Sequence, residues 1–145
     1  MGTASYDKDV VLWSREQAAL LRSGQFSQLD IEHLADEIED VGKSEQRELA
    51  NRMAVLLAHL LKWQHQPELR GSSWQNTIKV QRNRIKRRVE KTPGLKATVQ
   101  DREWQADAWE DAVDQAIKET GLDSAAFPEA CPWPLDKVLS PGWMP

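Results

Sequence analysis

Apolar residues recur every three or four positions along most of the chain, and no segment sustains an alternation of apolar and polar residues. The first pattern is typical of amphipathic helices, whereas alternation would indicate strands. The chain is therefore predicted to be all-α, an antiparallel bundle of about five helices. Capping and stop residues place these helices from about Asp7 to Ser23, Asp30 to Gly42, Ser44 to the residues before Pro67, Ser72 to Val89, and Thr92 to Gly121.

The second and third helices are predicted to be separate. Gly42 stands where a helix commonly ends, and Ser44 stands where one commonly begins. The third helix has the widest apolar arc, so it is the expected central helix. The second helix carries a narrower apolar stripe that should face the bundle, formed by Ile31, Leu34, Ile38 and Val41.

Residues 122–145 are predicted to form an extended tail. Five prolines lie between Phe127 and the end of the chain, which excludes a long helix there. One helical turn is expected at Leu135–Leu139, and the aromatic side chains should hold the tail against the bundle. Because there is no repeat and no long linker, residues 1–145 are predicted to be a single helical domain with the tail packed on it.

Several idiosyncratic strings occur along nearly the whole chain: Tyr6-Asp7, Glu16–Arg22, Leu34–Asp40, Leu60–Gln64, Gln66-Pro67, Ser73-Trp74, Glu119–Leu122, Phe127-Pro128 and Cys131–Trp133. Together they resemble the bacterial family catalogued as domain of unknown function 29. The resemblance implies a helical fold and a bacterial source, and it brings no established catalytic or binding residues. The family often has Asn where this chain has His33, so the resemblance does not support a function built on that histidine.

Composition restricts the cellular context. The longest uncharged run, Met53 to Leu61, is too short to cross a bilayer, and the first ten residues carry no apolar signal-peptide core. The single cysteine, Cys131, cannot form an intramolecular disulfide, which fits a reducing compartment. A cytoplasmic protein that does not bind membranes is therefore expected.

The fourth predicted helix is strongly basic. Residues 79–91 hold seven Lys and Arg against one acid, Glu90, and such a helix could track the phosphates of a nucleic acid. However, the whole chain has a net charge of -4, and residues 30–40 hold six acids with no Lys or Arg. Pairing with these acids, within the chain or across a dimer, is favoured over nucleic acid. The candidate binding residues are Arg82, Arg84, Lys86, Arg87 and Arg88.

A weaker candidate is a divalent metal site. His33 and Glu37 lie four residues apart on one helical edge, and His59 could approach from the next helix. A small metal-dependent hydrolase using Glu37 with His33 or His59 is one alternative. Because no second dense ligand motif is present, a solvated acidic helix edge is favoured, and no metal or cofactor is expected. No nucleophilic triad or phosphate-binding glycine loop points to a catalytic residue.

Polar residues on apolar stripes need partners, because an unpaired buried polar group costs roughly 1–3 kcal/mol. Arg88 is predicted to point inward and to pair with Glu37 or Glu48. A structural network that fixes the register of the helices is favoured over a catalytic carboxylate pair. Its expected members are Gln17, Glu37, Glu48, Arg52, Gln81 and Arg88.

The segregated charge and the seven tryptophans favour a noncatalytic helical interaction module with a regulatory role. Its expected partner is a second copy of the chain or another protein. The alternatives are a nucleic-acid-binding protein that uses residues 79–91 and the metal-dependent hydrolase described above.

Overall fold

The computed structural model describes residues 5–145. Within them the chain forms six α-helices and no strand, which confirms the all-α prediction. Three single turns of 3-10 helix connect them, at Phe26–Gln28, Pro67–Leu69 and Ser124–Ala126. The α-helices are α1 (Val10–Arg22), α2 (Ile31–His65), α3 (Ser72–Lys91), α4 (Leu95–Gln100), α5 (Arg102–Thr120) and α6 (Leu135–Leu139). None of these helices is long and apolar enough to cross a membrane.

Helix α2 replaces the two helices predicted on either side of Gly42. Gly42 does not adopt the left-handed conformation that ends helices, and the helix continues through it to His65. A glycine inside a helix costs about 1 kcal/mol. Ending the helix would instead leave four carbonyl groups before the break and four amide groups after it without helical partners. Continuing the helix through Gly42 therefore costs less free energy than ending it there.

The predicted fifth helix is divided into α4 and α5 at Asp101. The Asp101 side chain accepts a hydrogen bond of 2.8 Å from the backbone N–H of Trp104, so it caps the start of α5. The far end of α5 follows the prediction, because Gly121 adopts a left-handed conformation with φ of 72°. The helical turn predicted at Leu135–Leu139 is α6.

The chain divides into two compact units, and the division falls within α2. The N-terminal unit ends at Ser44, and the C-terminal unit is Glu45–Pro145.

The C-terminal unit contains the apolar core. Among the described residues, helix α2 supplies eight of the eighteen buried core residues, from Leu49 onward, and this is the largest share of any helix, as expected for the central helix. The tail is part of this core: Phe127 and Val138 are buried, and Trp133 stacks edge-on against Trp109 with ring centroids 5.7 Å apart. The largest fully buried side chains are Leu49, Leu56, Leu60, Leu61, Ile78, Ile85 and Val138.

The N-terminal unit consists of α1, a turn and the first part of α2. Of its described residues, only Trp13 and Gln17 are buried. Both bind the start of α2: the Trp13 Nε1–H donates to the Asp30 carboxylate at 2.9 Å, and Gln17 Oε1 accepts from the Asp30 backbone N–H at 2.8 Å. Polar contacts at the helix ends therefore hold this unit together in place of a large apolar core.

Candidate interaction surfaces

Exposed apolar side chains are concentrated in the N-terminal unit. Of the nine large apolar residues that are exposed in the described part of the chain, eight belong to this unit and one, Leu69, to the other. The exposed fractions of the eight range from 46% to 71%. We call them the N-terminal apolar set: Val10, Val11, Leu12, Leu21, Phe26, Ile31, Ile38 and Val41.

The α2 members of this set correct the sequence interpretation. Ile31, Ile38 and Val41 were expected to face a bundle, yet their exposed fractions are 68%, 71% and 68%. Their spacing places them along one stripe of the helix, the pattern of a helix that packs against another helix. Ala35 and Gly42 follow Ile31 and Ile38 by four positions, so small residues border the stripe and leave room for a close approach.

A polar cluster connects the start of the chain to α2 in the same unit. The Tyr6 hydroxyl donates to the Glu37 carboxylate, which raises the pKa of Tyr6 to about 12. The Tyr6 ring stacks on His33 with centroids 4.2 Å apart. His33 Nδ1–H donates to Asp30 at 2.7 Å, and this bond raises the pKa of His33 and lowers that of Asp30.

These contacts account for the residues singled out as metal candidates. His33 and Glu37 are engaged with Asp30 and Tyr6. His59 belongs to the C-terminal unit, where its Nδ1–H donates to the Val55 carbonyl at 2.8 Å and burial lowers its pKa. Across residues 5–145, no three His, Cys, Asp or Glu side chains are grouped so that they could hold a metal ion.

Lys62, which was not among the predicted site residues, forms a half-buried ion pair with Glu119. Its Nζ lies 2.5 Å from Glu119 on α5 and 3.4 Å from His59 Nε2, and it sits over the Trp74 ring at 5.3 Å. The side chain of Lys62 is 9% exposed and that of Glu119 is 49% exposed. The pair joins α2 to α5. The sequence signal for this pair was a lysine at the end of the apolar segment of the third predicted helix.

Arg82 is the first of the five predicted binding residues, and the structure contradicts its assignment. It is 6% exposed, its Nε donates to the Val138 carbonyl at 2.8 Å, and its Nη2 donates to the Trp143 carbonyl at 2.6 Å. The guanidinium therefore holds the tail instead of lying free on the surface of α3. Arg82 follows Ile78 by four residues and precedes Ile85 by three, and this spacing was the available sequence signal for a buried position.

The remaining cations of α3 are accessible. Arg84, Lys86 and Arg87 are exposed, and Arg88 is partly exposed. A cavity of about 330 Å³ opens beside the end of α3. We call it the basic pocket, and it is lined by Arg52, Arg84, Arg87, Arg88, Lys91 and Thr92.

Ion pairs join one wall of the basic pocket to α2. Arg88 Nη1 lies 2.8 Å from Glu45 and Nη2 lies 2.8 Å from Glu48, and these bonds raise the pKa of Arg88. Glu48 also lies 3.3 Å from Arg52. Glu45 was not among the acids predicted to pair with Arg88, which were Glu37 and Glu48.

The predicted polar network is thus distributed over different sets of contacts. Glu48, Arg52 and Arg88 come together as described. Gln17 and Glu37 lie in the N-terminal unit, where their partners are Asp30 and Tyr6. Gln81 Oε1 is buried with no hydrogen-bond partner among the described residues.

The model of the protein family described as Domain of unknown function DUF29 matches residues 5–144. The match covers nearly the whole chain and confirms the resemblance found in the sequence. Nothing matches among the curated proteins, and nothing matches among the solved structures.

Proposed function

The chain belongs to the DUF29 family of domains of unknown function, and we propose that it is a noncatalytic interaction module whose N-terminal apolar set binds a second copy of the chain. The observation that carries this proposal is the segregation of exposed apolar residues. Eight of the nine exposed large apolar side chains in the described part of the chain fall in the unit that has two buried residues. Large apolar patches on a protein surface commonly mark contact sites.

The apolar area fits the size of a stable dimer contact. Burying a large apolar side chain gains about 1.5–3 kcal/mol at about 25 cal/mol per Å², or roughly 60–120 Å² per side chain. With exposed fractions of 46% to 71%, the set presents on the order of 300–600 Å² of apolar area. A standard interface buries about 800 Å² per partner, of which roughly 450 Å² is apolar. The exposed apolar area of one N-terminal unit is therefore on the scale of one side of such an interface.

A second copy also supplies an apolar surface to cover the N-terminal unit, which has only two buried residues among those described. Two such units packed together would form an intermolecular helical bundle, with the stripe of Ile31, Ile38 and Val41 in its core. The two buried residues of the unit hold α1 to the start of α2, as the bonds of Trp13 and Gln17 to Asp30 show. This arrangement supports a binding role over a catalytic one.

Charge distinguishes this dimer from the electrostatic one considered in the sequence analysis. Residues 5–44 hold nine acidic and four basic residues, a net charge of -5. Two copies of this unit repel each other, and salt screens that repulsion. We therefore expect association to strengthen or stay constant as salt is added. A dimer formed by residues 30–40 of one copy and residues 79–91 of the other would weaken.

Sedimentation equilibrium over a range of protein and salt concentrations tests the proposal. We expect a monomer–dimer equilibrium that Ile38→Glu shifts strongly toward monomer, because the new carboxylate would be buried without a partner. Leu69→Glu is the matched control, since Leu69 is 57% exposed but lies in the C-terminal unit. It should dimerise like the wild type. A wild type that is monomeric throughout, or an Ile38→Glu variant that dimerises fully, would refute the proposal.

A further inference from the structure

The basic pocket brings cations from two helices to one concavity. Arg84, Arg87, Arg88 and Lys91 lie on α3 at spacings of three and four residues, which places them on one side of the helix. Arg52 comes from α2, and the Thr92 hydroxyl lies at the end of α3. The volume of about 330 Å³ is at the small end of the range for ligand sites.

Positive charge in the pocket exceeds the negative charge around it. Glu45 and Glu48 pair with Arg88, and Glu48 also pairs with Arg52. Arg84, Arg87 and Lys91 form no ion pair with any described residue. Five cations are therefore balanced by two acids, which leaves a local charge of about +3. In addition, Arg52 Nε is buried with no hydrogen-bond partner in the described part of the chain.

The helix dipole explains only part of this cluster. Cations near the end of a helix gain roughly 0.3–1 kcal/mol each from the dipole, and the effect fades within one turn. Arg88 and Lys91 lie in the last turn of α3. Arg84 precedes that turn, and Arg52 belongs to a different helix, so the dipole does not account for either.

We infer that the basic pocket is a binding site for a short polyphosphate chain, a di- or triphosphate that is either free or attached to a nucleoside. Arginine side chains bind phosphate oxygens through two parallel N–H donors, and four of the five cations are arginines. A single phosphate would leave much of the charge uncompensated, whereas a di- or triphosphate matches it. The pocket lies in the C-terminal unit, so this inference is independent of the proposed dimer contact.

Isothermal titration calorimetry at constant ionic strength tests the site, with inorganic triphosphate as the probe. The test variant is Arg84→Gln/Arg87→Gln, which removes two exposed cations that lack acidic partners. The matched control is Lys79→Gln/Lys86→Gln, which removes the same charge from exposed positions of α3 that do not line the pocket. We expect the wild type and the control to bind alike and the test variant to bind at least about tenfold more weakly.

Two further ligands identify the source of the phosphate chain. A nucleoside triphosphate that binds as tightly as inorganic triphosphate shows that the chain alone is recognised. Tighter binding of the nucleotide shows that its base or sugar adds contacts, and either result supports the site. Single-stranded oligonucleotide is the third arm, because the same cations could track a nucleic-acid backbone.

Three results would overturn the inference. They are the absence of triphosphate binding to the wild type, an equal loss of affinity in the test and control variants, and oligonucleotide binding that depends on Arg84 and Arg87 while triphosphate binding does not. The second result would show a response to net charge alone. Circular dichroism of both variants, in which all four substituted residues are exposed, verifies that the helices are intact.

Discussion

The guanidinium of Arg82 and the backbone carbonyl of Trp143, 61 positions apart in the sequence, are joined by a hydrogen bond of 2.6 Å. A second bond of 2.8 Å joins Arg82 to the Val138 carbonyl. A buried cation is here satisfied by carbonyl oxygens of the tail, so the tail and α3 depend on each other.

Arg82→Met should destabilise the protein and release the tail. The substitution removes two charge-assisted hydrogen bonds of roughly 1.5–3 kcal/mol each, so a loss of about 3–6 kcal/mol is expected. Denaturant unfolding measures the loss, and limited proteolysis should show faster cleavage between Val138 and Trp143. Lys86→Met is the control, because Lys86 is exposed on the same helix. Equal stability of the two variants would show that Arg82 does not anchor the tail.

The ion pairs of Arg88 should contribute far less. Its side chain is 27% exposed, and those of Glu45 and Glu48 are 44% and 50% exposed. Solvent screens such pairs, so a double-mutant cycle of Arg88→Met and Glu48→Gln should give a coupling of about 0.2–1 kcal/mol. A coupling above about 3 kcal/mol is typical of a buried pair. Such a value would contradict the interpretation that solvent screens the ion pairs of Arg88.

Tyr6 gives a direct optical probe of the N-terminal unit, because it is the only tyrosine in the chain. Its bond to Glu37 raises the pKa of Tyr6 to about 12. Titration followed by phenolate absorbance should give that value and a lower one, nearer the ordinary value of about 10, in Glu37→Ala. Glu32→Ala removes an acid of the same helix that does not contribute to the raised pKa of Tyr6, so it should leave the titration unchanged. A wild-type pKa near the ordinary value would mean that the bond is absent in solution.

His33 should make the stability of the protein depend on pH. Its bond to Asp30 raises the pKa of His33, so the folded state holds this proton more tightly than the unfolded state. The contribution is fully present below the pKa of the unfolded chain and is lost as pH rises through the folded pKa. The difference in unfolding free energy between the wild type and His33→Gln should therefore shrink as pH is raised from the ordinary histidine pKa of about 6.5 into the alkaline range. A difference that is constant over this range would exclude the linkage.

The sequence predicted the helices through local signals, and it failed where a local signal depends on its surroundings. Gly121 ends α5 and Leu135–Leu139 forms a turn, both as expected. Gly42 does not end α2, although it is also a glycine. A glycine ends a helix when it adopts the left-handed conformation, and Gly42 keeps the helical one. Asp101 caps the start of α5, whereas the continuous apolar pattern predicted one uninterrupted helix there.

The binding residues were harder to predict for a related reason. Arg82 and Arg88 lie on the same helix, and their sequence contexts do not say which one the tail will cover. The tail covers Arg82, because Val138 and Trp143 return to that side of α3. The stripe that contains Ile31 and Ile38 was predicted to face the bundle, and it is exposed instead. Periodicity shows that one face of a helix is apolar, but it does not show what covers that face.

In the proposed dimer, a second copy of the chain covers the N-terminal apolar set. Hydroxyl-radical footprinting at protein concentrations below and above the midpoint of dimerisation measures this coverage. We expect labelling of Phe26, Ile31 and Ile38 to fall as the dimer forms, while labelling of Leu69, exposed in the C-terminal unit, stays constant. Labelling of Phe26, Ile31 and Ile38 that is the same at every concentration would contradict the proposed dimer contact.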